Sequence, residues 1–224
     1  MRQIVLDTET TGLDATKGHR VIEIGALELV NRRANGRAYH VYLNPGREID
    51  AGAIAVHGIS NEFLADKPRF AEVVDEFLAF VRDAELIIHN APFDVGFLDA
   101  ELGRLGQGSI RLQSKILDTL KLAKELHPGQ KNSLDALCKR YEVDNSGRSY
   151  HGALLDAQLL AEVYLAMTRG QETLGIEARH ARPAKDIDVK SGPMRVQRAT
   201  EAEIQEHARY LAGLTAESGE TVSW

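Results

Sequence analysis

Two acidic side chains, Asp7 and Glu9, follow a short apolar run at the start of the chain. Residues 4–6 have the composition of a strand buried on both faces, and the pattern predicts that this strand ends near Asp7. Side chains two residues apart in an extended chain point the same way, so both carboxylates would lie side by side. Like charges this close repel, and no lysine or arginine follows within nine residues of the run. A divalent cation would supply the positive charge; the alternative is a turn-capping Asp7 and a solvated Glu9.

Three further side chains could join this pair. Asp94 lies in the first turn of a predicted helix, and His151 and Asp156 lie around the start of another. Each is near the end of an element, where sites in α/β sheets usually form. Hard oxygen ligands without a thiolate cluster favour Mg²⁺ or Mn²⁺ over zinc. Any one of these acids alone is more often a helix cap or a solvated residue, but the set of five is hard to explain without cations.

The hydrophobic pattern predicts an α/β fold with a mixed five-stranded sheet flanked by helices. The predicted strands are residues 4–7, 21–30, 37–43, 85–89 and 115–118. The first three are joined by short links, and Asn35-Gly36 predicts the hairpin turn between the second and third. Helical spacing of apolar residues predicts the helices at 70–81, 90–102, 119–126, 133–141 and 151–167.

Composition limits the classes of function. The chain has 224 residues, of which 43% are hydrophobic and 27% charged, so a sizeable core is expected. No apolar run approaches the roughly 20 residues that span a bilayer, and the first predicted strand leaves no room for a signal peptide. The single cysteine, Cys138, cannot form an internal disulfide, and we expect a cytoplasmic location. A net charge of −6 argues against coating duplex nucleic acid but permits an enzyme that holds a strand end through metal ions.

The character of the sequence changes after Gly170. Residues 177–199 contain glycine, proline and scattered basic residues without apolar periodicity, which predicts a flexible linker. Thr200 and Glu203 have the spacing of a capping box, and Gly213 is the predicted end of the helix that follows. We therefore expect a main domain over residues 1–176, the linker, and a tail over residues 200–224. The apolar stripe of the tail predicts docking onto a partner, with folding back onto the main domain as the alternative.

Three segments of the main domain resemble the exonuclease motifs of the DEDD superfamily, in its histidine branch. These segments are Asp7-Thr8-Glu9, residues 90–94 and residues 151–156. The likeness is closer still to the proofreading epsilon subunits of bacterial DNA polymerase III, and residues 56–59, 132–138 and 160–168 share in it. It covers about residues 2–176. It implies a ribonuclease H-like fold and stepwise 3′→5′ hydrolysis of DNA with two divalent metal ions.

The resemblance also assigns roles to the five side chains. It implies that Asp7 bridges both metals, that Glu9 and Asp156 hold the metal carrying the attacking water, and that Asp94 holds the other. His151 would act as general base, a task that suits a histidine because its ordinary pKa is about 6.5. The metal pair would lower the pKa of the nucleophilic water and stabilise charge on the entering and leaving oxygens.

Contacts to substrate are predicted from the loop that follows the first motif and from His57. Thr10 and Leu13 belong to a loop that could bracket the terminal nucleotide, together with Asp7, Glu9 and Asp156 of the metal set. His57 resembles a substrate-contacting position of the family, with a core or capping histidine as the alternative. The family pattern has a glutamate five residues before that histidine, whereas this chain has Gly52, which puts the grip on the terminal nucleotide in question. His19, His40, His89 and His127 have no such context, and we expect them to be structural or solvated.

Partners are predicted from the end of the domain and from the tail. Gln171, Leu174 and Ile176 resemble a sliding-clamp-binding peptide, with a frayed helix end as the alternative. The tail resembles the segment with which epsilon subunits tether to the polymerase III alpha subunit, and a flexible tether raises effective concentration without fixing orientation. The resemblance also admits a small accessory subunit as a further partner.

Two other functions compete with proofreading. A stand-alone nuclease that trims RNA or short oligonucleotides has no need of the linker and the amphipathic tail. A catalytically silent adaptor between clamp and polymerase gains nothing from clustered acids that destabilise the fold in the absence of metal. Both features favour the proofreading nuclease.

Overall fold

The computed structural model describes residues 1–112, 114–147, 150–169 and 199–218, with the side chains of the last segment described to residue 212. The chain divides into two units, Met1–Leu174 and Gly175–Trp224. Within the described ranges, no helix has both the length and the apolar character needed to cross a membrane.

Five strands of the first unit form one mixed sheet of order β3-β2-β1-β4-β5. The strands are β1 (Arg2–Thr10), β2 (Val21–Val30), β3 (Arg33–Tyr42), β4 (Glu85–Ile88) and β5 (Lys115–Asp118). β1 lies at the centre and pairs antiparallel with β2 and parallel with β4. β3 extends the antiparallel half and β5 extends the parallel half. The predicted mixed five-stranded sheet is confirmed.

The hairpin turn between β2 and β3 is not where the sequence predicted it. Asn31 and Arg32 form the two-residue turn, with φ of 49° and 64°. Asn35 and Gly36 lie inside β3, where the register with β2 shifts and two extra residues are accommodated. Gly36 has φ of 83°, a conformation that suits glycine because it lacks a Cβ. The Asn-Gly pair therefore marks a bulge in the strand, and the predicted turn was wrong.

Helices cover both faces of the sheet. Those of the first unit are α1 (Ala51–His57), α2 (Asn61–Leu64), α3 (Phe70–Val81), α4 (Ala91–Arg104), α5 (Thr119–Leu126), α6 (Leu134–Tyr141) and α7 (Ala153–Met167). The sequence analysis missed α1 and α2, since helices of two turns or fewer show little periodicity.

The second unit contains the helix α8 (Glu201–Ser218). Thr200 and Glu203 form the predicted capping box: the Thr200 backbone N–H donates to Glu203 Oε2 at 2.7 Å, and the Glu203 N–H donates to Thr200 Oγ1 at 3.4 Å. The helix continues past Gly213, so the predicted end was wrong. A single glycine weakens a helix by about 1 kcal/mol but does not break it.

Alternate side chains of β1 enter two different layers of the core. Ile4 and Leu6 pack in a cluster with residues of α3 and α4. Val5 packs on the other face with Ala157 and Leu160 of α7. All three β1 side chains are completely buried, as the sequence predicted for this run. Continuing the alternation along β1 assigns Asp7 and Glu9 to the α7 face and Thr8 to the α4 face.

Gly25 allows α7 to approach the sheet closely. It pairs with Asp7 across the β1–β2 ladder. A Cβ atom added at Gly25 would overlap the backbone of Ala153 and Leu154, in the first turn of α7. Because the obstacle is backbone, no side-chain rotation could relieve the clash. The absence of a side chain at Gly25 therefore sets the position of the helix turn that carries Asp156.

We predict that Gly25→Ala displaces the first turn of α7 and lowers kcat for the DNA cleavage that the resemblance implies by about tenfold or more, since a shift of about 1 Å at a catalytic group can cost a hundredfold. The variant should also unfold at a lower temperature. Gly103→Ala is the matched control because a Cβ at that position of α4 meets no atom within 4 Å. Full activity of Gly25→Ala would show that the close approach does not position the site.

Candidate active site

Asp7 and Glu9 lie within the last residues of β1, which runs to Thr10 and so ends three residues later than predicted. Asp7 pairs with Gly25, and Glu9 pairs with Glu23, before the ladder becomes irregular. Both acids are therefore in extended chain, in which residues two apart project from the same face. Both are partly buried. The extended backbone from which we predicted the pairing of the two carboxylates is therefore present at Asp7 and Glu9.

A cluster that could hold a cation forms where β1 meets the start of α7. One ligand atom from each of Glu9, His151 and Asp156 lies within 4.8 Å of the other two. Nδ1 of His151 is 3.4 Å from Oδ2 of Asp156, and the imidazole is 45% exposed while the carboxylate is buried. Asp156 lies in the first turn of α7, where the helix dipole favours negative charge. The backbone N–H of His151 donates to the Val56 carbonyl at 3.1 Å, which ties this segment to α1.

Asp94 reaches the same place from the other face of the sheet. It lies in the first turn of α4, after Asn90, which has the left-handed φ of 60°, and Pro92. Its Oδ1 accepts two hydrogen bonds from Thr8, one from the backbone N–H at 3.1 Å and one from Oγ1 at 2.7 Å. The side chain is buried. Burial raises the pKa of Asp94 to about 7 because it disfavours the charged carboxylate, and the Thr8 hydrogen bonds offset only part of this effect.

One cleft of about 530 Å³ brings the five predicted side chains together. Its described lining residues are Asp7, Thr8, Glu9, His89, Asn90, Phe93, Asp94, Leu120, Ser133, Leu134, Asp135, His151 and Asp156. None of these residues is a lysine or an arginine. Carboxylates concentrated in a partly buried cleft need positive charge, and here bound cations are the available source. Carboxylate oxygens with one imidazole and no thiolate are a donor set that fits Mg²⁺ or Mn²⁺.

A second cavity of about 450 Å³ adjoins the cleft, and Glu9 and Phe93 line both. Its other lining residues are Thr10, Gly12, Leu13, Asp50, Gly52, Ala53, Val56 and His57. The predicted substrate-binding residues Thr10, Leu13 and His57 thus share one largely apolar cavity beside the acids. Leu13 is 87% exposed, so its side chain can pack against a bound base. At Gly52 an added Cβ would meet nothing within 4 Å, so this wall of the cavity is open.

His57 has both a structural contact and access to this cavity. It is the last residue of α1 and is buried, and its Nδ1 accepts a hydrogen bond from the Ile59 N–H at 3.0 Å. Burial lowers the pKa of His57, and the nearby His151 lowers it further. The ring is therefore neutral near pH 7, with its proton on Nε2. Nε2 lies near the Thr10 backbone but makes no hydrogen bond of normal geometry with a described residue.

Several lining residues of the two cavities were missed from the sequence, among them Phe93 and Thr8. Phe93 lines both cavities, and its signal was its place directly before Asp94 in the second motif. Thr8 holds Asp94 through two hydrogen bonds, and no local signal in the sequence joins positions so far apart. The predicted clamp-binding residues Gln171, Leu174 and Ile176, and the linker up to residue 198, lie outside the described residues.

Comparison with known proteins identifies the fold as that of an exonuclease. The exonuclease family matches residues 4–164, which is well over half of the chain. In the structure of exonuclease X in complex with 5′ overhanging duplex DNA, the matched chain is 25% identical and aligns with a TM-score of 0.61. The alignment covers 75% of this chain and 92% of that one.

Relatives that match over the whole chain define the group more narrowly. The DNA polymerase III subunit epsilon of Salmonella typhimurium is 50% identical over 236 aligned residues, which cover 100% of this chain and 97% of the relative. The subunit epsilon of Escherichia coli is 49% identical with the same coverage. The chain therefore belongs to the exonuclease family and, within it, to the DNA polymerase III epsilon subunits. The predicted family and enzyme class, a proofreading 3′→5′ exonuclease, are confirmed, and the family depends on divalent metal ions.

We predict that Asp94→Asn stabilises the metal-free protein above pH 7. The pKa of Asp94 is raised from an ordinary 3.8 to about 7 in the folded state. At a pH between these two values, Asp94 is ionised in the unfolded protein but protonated in the folded protein. The free energy of unfolding therefore falls as the pH rises through this window and stays low above it. Asparagine cannot ionise, and its Oδ1 can still accept both Thr8 hydrogen bonds. The gain at pH 8 should be on the order of 1 kcal/mol or more, since one pKa unit is about 1.4 kcal/mol.

Chemical denaturation in chelator at pH 4, 6 and 8 measures this effect, and the difference between variant and wild type should grow with pH. Asp75→Asn is the control because Asp75 is an exposed residue of α3, where a substitution changes stability by about 0.5 kcal/mol at most. An increase in the free energy of unfolding from Asp94→Asn that is equal at all three pH values would contradict a buried carboxyl group with a raised pKa.

Proposed function

We propose that this chain removes mispaired 3′-terminal nucleotides from DNA by metal-dependent hydrolysis, as the proofreading subunit of a replicative polymerase. The observation that supports this most directly is the cleft in which five side chains, Asp7, Glu9, Asp94, His151 and Asp156, meet without a lysine or arginine among the described lining residues. A phosphodiester carries negative charge, so an acidic cleft can receive one only when cations are bound there.

Two divalent cations, Mg²⁺ or Mn²⁺, complete the proposed site. Asp7 would contact both, Glu9 and Asp156 would hold one, and Asp94 would hold the other. The grouping of Glu9, Asp156 and His151 within 4.8 Å supports the first position. The raised pKa of Asp94 supports the second, because burial of a carboxyl group here is costly unless a positive charge accompanies it. When bound, the cations lower the pKa of the attacking water and neutralise charge on the phosphate oxygens.

The protein's own side chains position the substrate and move the proton. His151 takes the proton of the attacking water as general base, because Asp156 holds its Nδ1 side while the ring remains 45% exposed to the cleft. The terminal nucleoside occupies the second cavity, between Leu13 and His57. Glu9 and Phe93 line both cavities, so the scissile phosphate would lie at their junction, beside the acids.

The two competing functions are less well supported. A stand-alone trimming nuclease does not explain why the chain aligns over its full length, tail included, with subunits of DNA polymerase III. A silent adaptor does not explain why every side chain of the metal and general-base set lines one cleft. The cleft and the full-length match together favour proofreading.

The decisive assay uses a 5′-labelled primer annealed to a template with a mispaired 3′ end, incubated with Mg²⁺ or Mn²⁺, with and without chelator. We expect a ladder that shortens from the 3′ end, stops with chelator and forms faster on the mispaired end than on a paired one. Asp7→Ala should reduce cleavage by about 10⁴-fold or more while the protein remains folded, since removal of a central catalytic group has costs of this size. Absence of cleavage in both metals would favour the adaptor.

We also propose that the tail tethers the nuclease to the polymerase III alpha subunit. The relatives are named as subunits of that polymerase, and the alignment to them covers the whole chain. In α8, Ile204 and Tyr210 are 55% and 65% exposed, which leaves apolar surface for a partner helix or groove. Further proposed partners are a sliding clamp, through residues 171–176, and a small accessory subunit. A role in chromosome replication implies a cytoplasmic location.

We predict that deletion of residues 200–224 leaves the rate of primer shortening unchanged but abolishes co-elution with the purified alpha subunit in gel filtration. The physical reason is that the acids and both cavities are built from residues of the first unit, whereas the exposed apolar side chains of α8 would be lost. Replacement of both Ile204 and Tyr210 by serine should weaken co-elution in the same direction. Undiminished co-elution of the truncated chain would show that the tether lies elsewhere.

A further inference from the structure

His19 is a buried histidine beside the substrate cavity, in the segment that leads into β2. Its Nδ1 is 3.0 Å from Oγ1 of Thr11, and its Nε2 is 3.5 Å from Oδ2 of Asp50. Thr11 belongs to the loop that follows β1, and Asp50 is the residue immediately before α1. The ring therefore spans two segments that are distant in the sequence.

One tautomer of His19 allows hydrogen bonds on both sides of the ring. The Arg20 backbone N–H donates to Thr11 Oγ1 at 3.0 Å, so the hydroxyl hydrogen is available to the histidine. Thr11 can then donate to Nδ1, which leaves the ring proton on Nε2, facing the carboxylate of Asp50. The side chain of Asp50 makes no hydrogen bond that caps α1, so the helix does not compete with His19 for this carboxylate.

The ring also supports the loop by direct packing. A Cβ atom added at Gly12 would overlap the imidazole of His19, so the loop backbone lies directly against the ring. A backbone hydrogen bond runs parallel to the side-chain link: the Asp50 N–H donates to the Thr11 carbonyl at 3.0 Å. Loop and helix start are thus joined twice, by this backbone hydrogen bond and by the His19 ring, which contacts both Thr11 and Asp50.

Both joined segments form walls of the substrate cavity. Gly12 and Leu13 line it from the loop, and Asp50, Gly52 and Ala53 line it from the start of α1. We propose that His19 is a positioning residue that sets the separation of these walls, and so the affinity of the cavity for the 3′-terminal nucleotide. This inference rests on the proposed function, because it takes the cavity to be the site of the terminal nucleoside.

The position of His19 distinguishes this role from one in the metal site. His19 does not line the acidic cleft, and its described partners are Thr11 and Asp50, not an acid of the catalytic set. Its loss should therefore weaken nucleotide binding without slowing the chemical step. A purely structural histidine would instead change stability and leave both kinetic parameters intact.

The experiment compares full-length wild type with His19→Ala and with His127→Ala. His127 is the matched control because it is a partly buried histidine with a side-chain hydrogen bond, to Tyr141 at 2.6 Å, but it lines neither cavity. Three assays are run: steady-state kinetics (KM and kcat) on a DNA 3′ end, hydrolysis of bis(p-nitrophenyl) phosphate, and calorimetric binding of the product dTMP in Mg²⁺. The small diester contains no nucleoside and reports on the metal site alone.

For His19→Ala we expect KM for DNA and Kd for dTMP to rise about tenfold, because the cavity walls are no longer held in the binding arrangement and part of the binding free energy must restore it. We expect kcat and the rate of hydrolysis of the small diester to stay within about twofold of wild type. The reason is that the substitution weakens binding of the nucleotide equally in the ground state and the transition state and leaves the contacts to the reacting phosphate unchanged. His127→Ala should leave all of these quantities within about twofold. His19→Asn, which keeps a polar group near Thr11, should recover part of the lost affinity.

Two further variants keep the test decisive if His19→Ala folds poorly. Asp50→Ala removes one end of the link at a half-exposed position and should raise KM in the same way. Gly12→Ala should raise KM strongly in the wild type but only slightly in His19→Ala, where the ring no longer occupies the space. An equal effect of Gly12→Ala in both backgrounds would show that the ring does not position the loop.

The proposal is overturned if His19→Ala leaves Kd for dTMP unchanged, or lowers kcat on both substrates with KM unaltered. It is also overturned if wild type does not bind dTMP. If wild type binds dTMP in the manner expected but cleaves no DNA, the proposed nuclease function fails and the positioning role of His19 stands.

Discussion

The close approach of α7 to the sheet at Gly25 is the constraint on which the site depends. β1 presents Asp7 and Glu9 on the α7 face, and Gly25 lies beside Asp7 on the neighbouring strand. Because Gly25 has no side chain, the first turn of α7 can rest on β2 there. That contact brings Asp156 and His151 to the end of β1. A small residue in the sheet thereby determines where a carboxylate and a base from the far end of the domain are placed.

The second requirement is electrostatic. Asp94 enters from the opposite face and is buried, with its pKa raised to about 7, while Thr8 compensates with two hydrogen bonds. The ionised carboxylates of the cleft therefore lower the stability of the metal-free protein. Bound cations would offset this cost. In the proposed function, the same negative charge that destabilises the metal-free protein would bind the cations needed for phosphodiester hydrolysis, so stability and activity would be opposed at this site.

In the proposed function, substrate binding depends on a different part of the molecule. The loop after β1 and the start of α1 line the second cavity, and His19 joins these two segments. Among the described residues, Glu9 and Phe93 line both this cavity and the acidic cleft. The proposed nucleotide contacts and the proposed metal ligands therefore lie largely on separate residues, so a difference such as Gly52 would change the first set without changing the second.

The sequence by itself determined the sheet, the longer helices and the identity of the five catalytic candidates, because apolar periodicity and short motifs are local properties of the chain. It misplaced the β2–β3 turn, since Asn35-Gly36 marks a left-handed conformation without saying whether a turn or a bulge requires it. Only the tertiary structure decided that α7 packs against Gly25, that Thr8 donates hydrogen bonds to Asp94 and that His19 connects Thr11 to Asp50. Each of these depends on how separate elements pack, and packing between elements is set by the complementarity of whole surfaces, which no local pattern encodes.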